Sequence, residues 1–95
     1  VIPNSYFLHQ NYPNPFNPET SFQIDLPKSS IVTISIYNIR GQKVATLLDK
    51  NLSSGSHKIK WNGYTSKGNA LSSGMYFYEM VTEDYHAIKK LILVK

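Results

Sequence analysis

Apolar side chains recur at every second position through most of the chain, the pattern of strands that bury one face and wet the other. Over residues 21–27, Phe22, Ile24 and Leu26 alternate with Ser21, Gln23 and Asp25 until Pro27 stops the strand. Over residues 31–38, Val32, Ile34 and Ile36 share one face and Thr33 and Ser35 the other. Arg40, Gly41 and Gln42 then turn the chain into a third strand over 43–49, with Val44 and either Leu47 or Leu48 inward. Residues 51–56 read as loop. His57, Ile59 and Trp61 alternate with Lys58 and Lys60, and the polar stretch 62–74 carries turn glycines at Gly63, Gly68 and Gly74. In the aromatic strand from Met75, the polar Glu79 sets the phase and sends Tyr76, Tyr78 and Met80 inward. The closing strand, 86–95, puts inward either Leu91 and Leu93, with Lys89 and Lys95 at the ends of that phase, or Ile88, Ile92 and Val94, with Lys90 among them, and the first is preferred. Adding an extended segment near Tyr6 to Gln10, and with no amphipathic helix of useful length, the pattern predicts an all-β antiparallel sandwich of about seven strands. Residues 1–95 then form a single domain, with 1–9 as linker and first extended segment and Trp61 the largest core member.

Residues 10–20 break this rhythm. Pro13, Pro15 and Pro18 stand among Asn11, Asn14 and Asn17, and each proline fixes its own φ, lacks an N–H and pushes the preceding residue toward extended geometry. Neither a helix nor a central strand runs through such a stretch. Asparagines hydrogen-bond nearby backbone, and Tyr12 and Phe16 offer apolar rings. The segment is expected to be a structured clasp closing one open end of the sandwich, with Tyr12 and Phe16 packed on the core and the asparagines bonding turn backbone.

Composition narrows the chemistry. A chain with 41% apolar and 13% aromatic residues suffices for one core, while the net charge of +4 comes from lysines in pairs and scattered singles. Nucleic-acid binding, which needs a clustered basic face, is not expected. The absence of cysteine excludes a disulfide framework and thiolate chemistry. No apolar run is long enough for a membrane-spanning helix, and the first ten residues lack the blocks of a signal peptide. A start at Val1 suggests a piece of a longer protein. His9, His57 and His86 lack ligand spacing, so no metal or other cofactor is expected, and His57 reads as a strand-start residue capping loop carbonyls. The carboxylates fall on solvent phases or in turns, with Glu83 and Asp84 at a hairpin tip, and no serine sits in a nucleophile elbow. No catalytic residue is expected. Tyr37, Tyr64, Phe77 and Tyr85, off the expected core, are the candidates for a carbohydrate platform, although sheets favour such residues for pairing alone.

Several blocks are recognisable together: the Asn-Tyr-Pro-Asn-Pro-Phe-Asn-Pro run from Asn11 to Pro18, Tyr37-Asn38 followed by Gly41, Trp61-Asn62-Gly63, Ser73-Gly74 followed by Tyr76, and the basic-apolar finish Lys89 to Lys95. In this order, over nearly the whole chain, they resemble the type A C-terminal sorting domain of type IX secretion cargo, a family closely similar to the Ig-like domain of flagellar hook-capping proteins. Thr65 departs from the pattern, standing where the family often carries an acidic residue or Asn. The resemblance implies an Ig-like fold and a covalently attached N-terminal cargo from a Bacteroidetes-like bacterium. It also implies passage through the periplasm and across the outer membrane to the surface or medium, and partners in the secretion machinery and a sorting peptidase. Translocon recognition is expected at Lys89, Lys90, Leu91, Leu93 and Lys95, on a terminal strand read by side-chain contacts or by β-augmentation. The alternatives are an Ig-like structural or interaction module, of a secreted enzyme or a hook-capping protein, and a carbohydrate-binding module.

Overall fold

The structure, a computed structural model, describes residues 2–95. Its elements are β1 (Phe7–Leu8), β2 (Thr20–Leu26), β3 (Ser30–Tyr37), β4 (Lys43–Leu52), β5 (Gly55–Trp61), β6 (Gly74–Val81) and β7 (His86–Leu93). They form two antiparallel sheets, ordered β1-β2-β5 and β4-β3-β6-β7, face to face as a sandwich. The alternation read from the sequence is the cause: Phe22, Ile24, Leu26, Val32, Ile34, Ile36, Tyr78, Met80, Leu91 and Leu93 are all buried between the sheets. Lys89 lies on the same phase of β7 as Leu91 and Leu93, half-buried at the mouth of the sandwich.

Strand β4 differs from expectation for a local reason. Its register with β3 slips between Ile34 and Ser35 and again between Ile36 and Tyr37, leaving Leu47 and Val44 without a partner on β3. Each β-bulge shifts the phase by one residue. As a result Ala45, which no alternation pattern singled out, enters the core, while Val44, Leu47 and Leu48 pack half-buried against it. Strand β4 also continues through Asn51 and Leu52, pairing with Ile31 and Ser30, where the sequence suggested loop. Ser35, expected on the wet face, is buried because its central strand is flanked by Thr46 on one side and Glu79 on the other.

The turns follow their chemistry. Asn38 accepts the N–H groups of Arg40 and Gln42 on its side-chain oxygen, and Gly41 takes φ +79°, which the reversal needs. Thr65 closes the loop after Trp61 by accepting the N–H of Asn69 on Oγ1 at 3.0 Å, so the hydroxyl does there what a carboxylate or amide oxygen would do. His57 donates from Nε2 to the carbonyl of Ser53 at 2.8 Å, the cap read from the sequence.

Segment 10–18 runs between the sheets with cis bonds before Pro13, Pro15 and Pro18. Phe16 is 1% exposed, its ring 5.6 Å from that of Trp61, which in turn meets Tyr76 edge-on at 6.0 Å. Tyr12 does not pack on the core: it is 81% exposed, because its backbone bridges Ser21 at the sheet edge and so turns its side chain out to water. Phe16→Ala should therefore destabilise the domain by about 3–5 kcal/mol, as large-to-small changes of buried aromatics do. Tyr12→Ala should stay within about 0.5 kcal/mol. Urea unfolding of the two variants checks this, and equal losses would contradict the division of labour.

Candidate functional site

Strand β7 is the edge of the four-stranded sheet, and an edge strand presents main-chain groups that nothing in its own sheet can satisfy. Toward the end of β7, from the Lys90 carbonyl onward, they are satisfied by segment 10–18. Phe16 donates its N–H to the Ile92 carbonyl at 2.9 Å and accepts the Val94 N–H at 2.9 Å, forming a parallel bridge opposite Leu93. Asn14 accepts the Ile92 N–H on its side-chain oxygen at 3.0 Å, and Gln10 donates from its side-chain amide to the Lys90 carbonyl at 2.9 Å. Four outward groups on three alternate residues of the closing strand are thus taken up internally. Because Tyr12 pairs with Ser21 of β2 in both directions, at 2.8 and 3.1 Å, the same segment sews one sheet to the other.

The clasp has its own anchors. Asn11, 3% exposed, donates to the Pro13 carbonyl at 3.2 Å and to Thr20 Oγ1 at 3.0 Å, and Thr20 donates on to the Pro13 carbonyl at 2.8 Å. Asn17, expected to bond turn backbone, has no such bond among those described. Gly63 holds φ +80°, and a Cβ there would stand 3.4 Å from the Pro18 carbonyl oxygen and 3.6 Å from the Leu93 methyls. This glycine lets the loop after Trp61 approach the junction of clasp and closing strand. Tyr78 donates its phenol to the His9 carbonyl at 2.7 Å from within the core, and burial pushes its pKa up from 10.0 to about 12.

The residues expected to meet a receptor do not lie together. Leu91 and Leu93 are buried in the core, so their side chains contribute to folding. The Lys89 ammonium stands 5.9 Å from the centre of the Phe7 ring of β1, at the mouth between the sheets. Lys90 points to the outer face beside its cross-strand partner Phe77, and Lys95 ends the chain with its N–H on Ser73 Oγ at 2.9 Å. Gly41, Trp61, Gly74 and Tyr76 hold turns and core, with Tyr76 donating to the Ser72 carbonyl at 2.7 Å. The sequence singled out both ends of this arrangement but not their pairing, since hydrogen bonds between residues 14 and 92 leave no periodic trace.

Other chemistry is sparse. On the outer face of the three-stranded sheet, Asp25 meets His9 at 2.7 Å, Gln23 at 2.8 Å and Ser56 at 2.9 Å. Partial burial raises the pKa of this carboxyl, but the hydrogen bonds and the His9 charge outweigh it and leave it below the usual value. The serine hydroxyl bonds the carboxylate and not the imidazole, so the trio lacks the order of an activated nucleophile. Among the described residues no group of three or more His, Asp or Glu could hold a metal, and no helix is long and apolar enough to cross a membrane. The four candidate aromatics make no single platform. Tyr85 stacks on Tyr6 at 5.6 Å and takes the Leu8 N–H at 3.3 Å, Tyr64 sits in the loop after β5, and only Tyr37 and Phe77 are neighbours.

Residues 10–95 match the family described as "Secretion system C-terminal sorting domain". Among solved structures the chain is similar to dimeric latent PorU of Porphyromonas gingivalis, at 23% identity and a TM-score of 0.75, covering 92% of this chain and 9% of that one. It is similar to PorZ of the same organism, a surface component of the type-IX secretion system, at 16% identity and a TM-score of 0.60 over 97% of this chain and 12% of PorZ. FlgD of Pseudomonas aeruginosa follows the same fold at 22% identity and a TM-score of 0.63, over 93% and 74%. The chain thus spans about a tenth of the first two proteins. No curated protein matches it.

The buried phenol gives this site a pH dependence. A tyrosine whose pKa is higher folded than unfolded contributes stability that is complete below about pH 10 and lost as pH rises toward about 12. Tyr78→Phe should flatten the fall in unfolding stability over that interval while costing about 0.5–1.5 kcal/mol at neutral pH for the lost bond to His9. Urea melts at several alkaline pH values check this, and an unchanged slope would contradict it.

Proposed function

Since the chain belongs to the secretion system C-terminal sorting domain family and is a type IX sorting domain, we propose that it is a non-catalytic address, read through the side chains of its closing strand. Cargo lies N-terminal to it in the same polypeptide, the translocation machinery recognises it from the periplasmic side, and a sorting peptidase acts at or before segment 1–9. The product is released to the medium or held at the surface.

The observation that supports side-chain reading is the clasp. Strand addition needs a row of free N–H and C=O groups, and on β7 those of Ile92, with Lys90 O and Val94 N, are already bonded to Gln10, Asn14 and Phe16. The charges that the folded domain presents at this edge, beside the exposed side chains of Ile88 and Val94, are Lys90 on the outer face, Lys89 at the mouth beside Phe7, and Lys95 at the end. Solvated ammonium groups on such a strand contribute little to stability and are free to meet a receptor. Leu91 and Leu93 act indirectly, by fixing the strand that carries them.

Fused to a soluble protein with an ordinary export leader, the domain should carry it across the outer membrane of a type IX-competent bacterium. The variant Lys90→Glu/Lys95→Glu should remain folded, melting within a few degrees of the parent, while its cargo accumulates in the periplasm. Equal export of the leader-bearing protein without the domain, or normal export of the folded double variant, would contradict the reading and favour an Ig-like interaction module.

A further inference from the structure

A seven-strand sandwich built as two open sheets has four edges, and the structure treats them differently. Strand β1 has two residues and lies beside β7, whose outer groups are clasped from the Lys90 carbonyl to the Val94 N–H. Strand β4 is interrupted by its two bulges and covered near Thr46 and Val44, where Ser66 bonds both main chains at 3.0 and 3.3 Å. Strand β5 is long and regular, its register with β2 running without a slip from Gly55 to Trp61, and among the described residues no bond covers its outer main-chain groups anywhere along its length.

The direction of its peptide groups follows from β2. Ser21 and Gln23 bond toward Tyr12 and His9, so the alternate residues Thr20, Phe22, Ile24 and Leu26 bond toward β5. Their partners Trp61, Ile59, His57 and Gly55 face inward to the sheet, and the N–H and C=O groups of Ser56, Lys58 and Lys60 point out along the free edge. Among the described residues nothing in the protein bonds them. Opposite Gln23 and Ser21, the Lys58 and Lys60 side chains stand on the outer face without an ion pair within 4 Å: Asp25 is already engaged by His9, Gln23 and Ser56, and Glu19 borders the same cleft as Lys60 without pairing with it.

We propose that the free edge of β5 is a docking site for an extended segment of a partner protein that carries carboxylates at alternate positions. Added as a fourth strand to the β1-β2-β5 sheet, such a segment would satisfy the peptide groups of Ser56, Lys58 and Lys60 and place its acidic side chains beside the two ammonium groups. Its remaining side chains would fall on the phase of half-buried Ile59, so they are apolar. Two copies of this edge pairing antiparallel would set lysine against lysine, which disfavours self-association and selects for an acidic partner. The inference rests on edge geometry and charge and is independent of the export reading.

A blocked heptapeptide alternating Glu and Val, titrated into the isotope-labelled 95-residue chain, tests it. The amide signals of Ser56, Lys58 and Lys60 should shift and gain protection from hydrogen exchange, and those of Ile92 and Val94 should not. Affinity should fall about tenfold for Lys58→Glu/Lys60→Glu, since each reversed cross-strand charge pair is worth a fraction of a kcal/mol to about one. A peptide of the same charge, N-methylated at the residues that face the edge, should lose binding. Equal affinity of the methylated peptide, shifts centred on β7, or no binding of the parent peptide would each overturn the proposal, as would equal affinity for a Lys-Val peptide.

Discussion

The two hydrogen bonds of Phe16, one given to Ile92 and one taken from Val94, are the point on which the closing half of the molecule depends. A sandwich of open sheets has no covalent or main-chain connection across its layers except at chain crossings, and cysteine, which could staple them, is absent. The clasp supplies a substitute. Its Tyr12 backbone belongs to the three-stranded sheet, its Phe16 backbone to the four-stranded one, and the Phe16 ring fills the gap between them against Trp61. Prolines suit such a segment because they restrict the unfolded chain where the folded geometry already accepts them.

The proposed function follows from how that constraint occupies the end of the last strand. An address attached to varied cargo has to fold by itself and must not pair indiscriminately with other strands. Taking the outer groups of the end of β7 into internal bonds meets both needs: the end of the strand is pinned, and its lysines stand exposed beside Ile88 and Val94. The family match gives a sorting domain, and in the reading proposed for it recognition depends on a charged strand held in place by the clasp.

Most of the sandwich was legible in the sequence because period-two alternation fixes both strand and face, and Phe22, Ile24, Tyr78 and Leu91 fell where it put them. Where the backbone departs from that period the pattern misleads: the bulges at Val44 and Leu47 brought Ala45 inward. Burial of Phe16 and exposure of Tyr12 were not separable either. Both are aromatic residues beside prolines, and only the bridge of Tyr12 to Ser21 decides which ring turns out. At the candidate site, the proline-asparagine run and the lysine-flanked finish were visible by motif. Their mutual bonding was not, since contacts spanning nearly the whole chain arise from topology.

Native-state hydrogen exchange of individual amides tests the clasp most directly. In an edge strand without cover, outward-facing amides exchange far faster than those bonded within the sheet. The account predicts that the outward amides of Ile92 and Val94 are protected to nearly the same degree as the inward-bonded amide of Leu91, and much more than those of Lys58 and Lys60 on the uncovered edge of β5. Ile92 and Val94 exchanging as fast as Lys58 and Lys60 would show that segment 10–18 does not hold the closing strand in solution, and the account of the site built on it would be wrong.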